Sequence, residues 1–321
     1  MSNKNQLFDT VEEYQAEDDP SSVIRTVRLW KKTLSEHAKI LASDKGVLFG
    51  AMNLIFFVLI AVFAPLIAPH GPKERLYQDD TQQMAKWMDP SFMGGKGLLG
   101  TTAQGYDIFS QLIYGARPAL IVGFLAAVLT VGVGTVIGLV AGYYGGYTDD
   151  LLMRLVDFAY GIPLLPTVIV LVSLLGASKW NVILAILVIQ WRTSARVIRS
   201  QVLSLRERPY VKFARIAGAS DWRIISRHIA PNIIPLSFLY AAFAVSWAII
   251  TEAGVSFLGL GNPNEVSWGT MLMSSRTYSA MSFGAWWWIV PPGLCISLVV
   301  ISCYLIGQGY EEIVNPELQG R

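Results

Sequence analysis

A chain of 321 residues would ordinarily fold as about two soluble domains, but 53% hydrophobic and only 15% charged residues point elsewhere. Charge-poor runs of roughly 20 residues are long enough to cross a ~30 Å hydrocarbon core at ~1.5 Å per residue, which makes this a membrane chain. The net charge of +2 matters less than the side on which the charges fall.

Met1 to Pro20 is polar and acidic and is expected to be mobile. Between Arg25 and Lys45, Val27, Trp30, Leu34, Ala38 and Leu41 recur at three- and four-residue steps among six basic residues. That pattern predicts an amphipathic helix lying on a membrane face. The first span is predicted over 47–68. An outer loop, 69–118, follows with five basic and five acidic residues; a balanced loop after a basic arm belongs outside.

The second span is predicted over 119–141. Gly134, Gly138 and Gly142 lie four apart on one face; that face either meets a helix of a pore bundle or packs as small-residue motifs generally do. A short inner loop, 143–153, leads to a third span over 154–175, broken by Pro163 and Pro166. The fourth span, 182–191, is short unless Trp180 and Trp191 anchor it at the interfaces. The fifth is predicted over 233–251. After the outer segment 252–285 comes the sixth, 286–308, opened by Trp286, Trp287 and Trp288 at the interface and kinked at Pro291 and Pro292. Cys295 and Cys303 lie eight residues apart on that helix, about 12 Å and so too far for a disulfide.

Between the fourth and fifth spans, residues 192–231 hold nine Lys and Arg against two acidic residues, a formal +7. Such an excess marks a cytoplasmic loop. Within it Tyr210 to Ala217 reads as a short helix, Gly218 as a break at positive φ, and Ser220 as the N-cap of a second helix running from Asp221 toward Pro231. Trp222, Ile225 and Ile229 are expected on one side of that second helix, and Arg223 and Arg227 on another.

Chemistry of other kinds is missing from the sequence. Nothing fits the GxxxxGKS/T phosphate loop, and Gly94-Gly95-Lys96 lacks its spacing. There is no HExxH; His37, His70 and His228 fall in different segments, so no metal site is expected. Gly254-Val255-Ser256-Phe257-Leu258 fails GxSxG at its last position. Two acidic residues border the spans. Asp157 either faces a polar cavity or pairs with Arg154, the pair being favoured so close to a helix end. Glu252 either lines an outer pathway or sits in interfacial water. No chain of acidic residues crosses several spans, which speaks against a proton- or sodium-driven secondary carrier. An intramembrane enzyme would need a nucleophile and base that are not found.

Ala214, Ala217-Gly218-Ala219, Asp221-Trp222-Arg223-Ile224 and Pro231-Asn232 resemble the EAA loop of ABC-importer permeases, with Lys212-Phe213-Ala214 where that family usually has Glu-Ala-Ala. Leu98-Leu99-Gly100-Thr101, Gly105-Tyr106-Asp107, Ile113-Tyr114-Gly115-Ala116-Arg117, Ser256 to Gly261 and Ser267-Trp268-Gly269 are similar to the dipeptide/oligopeptide and nickel subfamily. Thr102, Tyr106 and Gln111 depart from it. The resemblance implies an all-α integral membrane protein of six spans with the type I importer architecture and the N-terminal amphipathic arm (1–46) preceding a permease domain (47–321). It implies import of peptides, or of nickel or another small solute, with both termini cytoplasmic in a prokaryotic inner membrane.

It further implies a second homologous permease subunit, two ABC ATPases that bind the ATP and Mg this chain does not hold, an extracytoplasmic solute-binding protein, and no nucleic acid. The ATPase-docking residues it implies are Ala214, Arg215, Ala217, Gly218, Ala219, Ser220, Asp221, Trp222 and Arg223; Glu252 and Asp157 are candidates for the pathway.

Overall fold

The computed structural model describes residues 44–76, 90 and 97–314; the expected N-terminal amphipathic helix lies outside them but for its last two residues. Helix α1, Lys45–Ile67, starts where Asp44 accepts hydrogen bonds from the amides of Gly46 (2.6 Å) and Val47 (3.1 Å), satisfying N–H groups that a helix start leaves open. Helix α2, Ile108–Tyr144, is much longer than expected. Asp107 caps it through the Ser110 amide (3.0 Å), and Pro118 is absorbed within it.

The expected inner loop is reduced to Gly145 and Gly146, both at positive φ; helix α3, Gly146–Tyr160, begins at once. Between α3 and α4, Leu164–Leu175, the axis turns by 86°. Pro163 sits at the N-cap of α4 and Pro166 in its first turn, where a missing N–H removes no bond. The expected kinked span is thus two helices joined at a corner.

Helix α5, Lys179–Arg206, removes the shortness of the fourth span: residues 192–206, assigned to the loop from charge, continue the helix. After α6, Pro209–Ile216, helix α7 runs Asp221–Leu260, with π-helical turns at Ile225–Ile229 and Ser256–Leu260 and a kink at Gly259, which takes φ +89°. Pro231 and Pro235 lie inside it. Of the residues expected to share a side, Ile229 is fully buried while Trp222 is 77% exposed. Helix α8, Trp268–Thr277, opens with a capping box between Ser267 and Thr270. In α9, Val290–Val314, the two prolines occupy the first turn and bend nothing. Trp287 and Trp288, expected at the interface, are core residues packed with Trp268 and Ile108.

Among the described residues five helices are long and apolar enough to cross a membrane, and six if the α3–α4 pair is one crossing. The seam between α2 and α5 is the closest approach. A Cβ on Gly138 would lie 2.7 Å from the Ala195 carbonyl, and one on Gly142 2.7 Å from Val202 Cβ. The glycine face therefore serves contact within this chain. On α1, Asn53 donates to Ser302 Oγ (2.6 Å) and the Leu298 carbonyl (3.1 Å) of α9. That offsets the cost of holding an amide among apolar side chains.

Candidate functional site

The connection between α5 and α7 is built as a small rigid body. Helix α6 ends in a Schellman arrangement: the Ala219 amide donates to the Ala214 carbonyl (3.1 Å) and the Gly218 amide to the Arg215 carbonyl (3.1 Å). Gly218 takes φ +83° between them, a conformation in which an L side chain is strained. Ser220 then accepts from the Arg223 amide (3.4 Å) and starts α7. Helix, positive-φ glycine and serine cap fall where the spacing predicts them.

Beneath the turn, Val211 and Ala214 of α6 and Ile224, Ile229 and Ile233 of α7 pack against Ile198, Val202 and Leu205 of α5. Polar ties fix the same body to the end of α2. The Tyr143 hydroxyl donates to Asp221 (2.6 Å), Arg215 lies over the Tyr143 ring (5.5 Å), and Arg206 donates to the Gly142 carbonyl (2.8 Å). On the outside of α6 the Lys212 ammonium, 3.0 Å from Glu207, holds that carboxyl below its usual range; so exposed a pair contributes little to stability.

The opposite side of this body is bare and apolar. Phe213 is 68% exposed, Ile216 82% and Trp222 77%. Phe213 and Ile216 are three residues apart and share a face of α6, while Val211 and Ala214, also three apart, face inward. Of the nine residues expected to dock, Ala214 is buried within the chain and Ala219 half-buried; Arg215, Ala217, Gly218, Ser220, Asp221, Trp222 and Arg223 are exposed. Phe213 and Ile216 were not among the nine. Their signal was legible: an eight-residue helix with apolar residues on both faces needs something to cover the second.

The chain matches the family described as "Binding-protein-dependent transport system inner membrane component" over residues 134–320. It also matches the "N-terminal TM domain of oligopeptide transport permease C" over residues 33–87. The chain belongs to the binding-protein-dependent permease family. It is 34% identical to the di/tripeptide transport system permease protein DppC of Pseudomonas aeruginosa, covering 94% of this chain and 96% of that one. It is 33% identical to the dipeptide transport system permease protein DppC of Haemophilus influenzae, covering 90% and 96%.

In this permease the two acidic candidates are not placed as expected. Asp157 pairs with Arg196 of α5, not with Arg154; Arg196 reaches it from the neighbouring helix across the α3–α4 corner. Glu252 is only 5% exposed, accepts a hydrogen bond from Ser256 (2.7 Å) and keeps its second oxygen buried without a partner. It is therefore buried within this chain and does not sit in interfacial water. Lys179, which lines the same small pocket as Glu252, is paired with Glu265 (2.7 Å).

Proposed function

We propose that this permease is one of two membrane subunits of an ATP-driven peptide importer, and that its α6–α7 turn is the contact through which a cytoplasmic ATPase moves the bundle. The end that carries the turn then faces the cytoplasm, in keeping with its +7 charge. A second homologous permease subunit completes the pathway, two ATPases hold ATP and Mg, and an extracytoplasmic protein delivers the peptide. The peptide cargo rests on the names of the relatives.

One observation carries the reading: Phe213, Ile216 and Trp222 stand exposed on a turn that is packed and hydrogen-bonded onto three long helices. Large apolar side chains in water on a rigid base are what a docking partner covers. A push on such a base passes to α2, α5 and α7 as a rigid displacement and so can switch the bundle between two arrangements. A secondary carrier would have no use for this surface.

The test is co-purification in mild detergent with uptake measured in parallel. Phe213→Ser with Trp222→Ser should insert normally yet lose the ATPase and ATP-dependent peptide uptake, each truncated anchor costing about 2 kcal/mol or more of docking. Full ATPase retention and wild-type uptake in that variant would sink the docking assignment. Peptide uptake by the purified chain in the absence of any ATPase would favour the secondary carrier.

A further inference from the structure

A cavity of about 570 Å³ opens among α2, the α3–α4 corner, α5, α7 and α9; its walls include Tyr160, Arg192, Tyr240, Phe243, Trp247 and Tyr304. Arg192 is the odd member. Its neighbour Ser194 bonds the Thr130 carbonyl of α2 (3.3 Å) and touches Gly134. Gly134 is ten residues, about 15 Å, from the end of α2. A guanidinium is thus held well inside the bundle, where charges are rare and face cavities or partners.

Its partners are incomplete. Both of its hydrogen bonds use Nη1 and go to carbonyls of the corner, that of Ala159, which also accepts from the Ile162 amide (3.2 Å), and that of Ile162. Nε is buried with no acceptor. Arg192 and Arg196 both lie over the Tyr160 ring, at 4.9 and 4.2 Å, but only Arg196 has a carboxylate, Asp157. No acidic side chain pairs with Arg192 among the described residues. Two carbonyl dipoles position this guanidinium without neutralising it, and Nη2, on a side chain that lines the cavity, takes no bond and can donate to a carboxylate.

We propose that Arg192 is the site in the pathway that receives the terminal carboxylate of the passing peptide, an inference that rests on the peptide-importer reading above. The carboxylate is the one anion common to peptides of every side-chain composition, so a single fixed cation serves them all. The aromatic walls offer contact area to varied side chains without selecting among them. A charge-assisted bond of this kind is strong enough to favour a carboxylate about tenfold or more and weak enough to release it.

The experiment uses the full complex in proteoliposomes, with a dipeptide and its C-terminal amide chosen so that the binding protein holds both with matched affinity. Initial uptake rates are compared at saturating loaded binding protein. The wild type should carry the free acid about tenfold faster than the amide. Arg192→Gln, which can still donate to the corner carbonyls, should bring the ratio to about one, mainly through loss of free-acid uptake. Tyr160→Glu sets a carboxylate beside the guanidinium and should collapse the ratio likewise, which keeps the test alive if the glutamine variant does not assemble. A wild-type ratio near one overturns the proposal. So does equal slowing of both substrates in Arg192→Gln, which would reduce Arg192 to a pin for the corner, or a wild-type ratio in Tyr160→Glu. If the wild-type complex carries neither peptide, the importer reading itself falls; if it carries both alike, only the role of Arg192 does.

Discussion

The α2–α5 seam and the α6–α7 turn both depend on glycine, for opposite reasons. Along the seam the backbone is ordinary helix and the space is gone: added Cβ atoms at Gly138 and Gly142 would stand 2.7 Å from atoms of α5. At the turn the space is open, with nothing within 4 Å of a Cβ on Gly218, and the backbone is special at φ +83°. One glycine set lets two helices touch; the other lets a chain reverse. The seam belongs to the stability of the bundle and the turn to the proposed contact with an ATPase.

The comparison is broken most severely at the seam. Gly138→Val forces a branched side chain against the Ala195 carbonyl and Ile198, backbone and core atoms that cannot step aside. Overpacking of this kind costs about 1–3 kcal/mol or more, and the upper end is expected here. The variant should show little detergent-stable protein and a lowered thermal midpoint, measured by fluorescence-detected size exclusion after heating. A wild-type midpoint would mean that α2 and α5 are not in contact.

At the turn the expected effect is smaller and of a different kind. Gly218→Val costs roughly 1–2 kcal/mol of backbone strain in a segment outside the spans, so insertion and thermal midpoint should stay near wild type. ATPase retention and peptide-stimulated ATP hydrolysis should fall, while Ser204→Val, on an exposed position of α5, leaves both intact. Equal loss of midpoint in the Gly218 and Gly138 variants would erase the distinction between the two regions.

The least effect is expected at Gly132, which lies on the same helix as the seam but has nothing within 4 Å of an added Cβ and no positive φ. Gly132→Ala should change stability of this chain by no more than about 1 kcal/mol, in the stabilising direction, because alanine is the better helix former. Thermal unfolding of the chain purified without its partner subunits measures this; a loss comparable to that of Gly138→Val would show that α2 is rotated relative to this arrangement.

Much of this was legible along the chain. Spans, the basic loop and the α6–Gly218–Ser220 turn are local: they follow from apolar run length, charge and the few residues that tolerate positive φ or cap a helix. Charge does not mark the end of a span in α5, which runs Lys179–Arg206. Arg192, Arg196 and Arg199 continue α5, because Arg196 and Arg199 find Asp157 and Asp149 on α3, and Arg192 the carbonyls of the corner. A helix can carry such charges when the partners come from another helix, and no one-dimensional pattern announces that. For the same reason Trp287 and Trp288 looked like interface anchors and are core.

The sequence by itself determined the membrane class, the family and the turn, since each is written in neighbouring residues. Only the tertiary structure decided that α3 and α4 meet at 86°, that Glu252 is sealed and Asp157 paired across helices, and that Arg192 lines a cavity with its Nη2 unbonded. Those are outcomes of which helix faces meet, and segments far apart in sequence settle them together through packing and the pairing of buried charge.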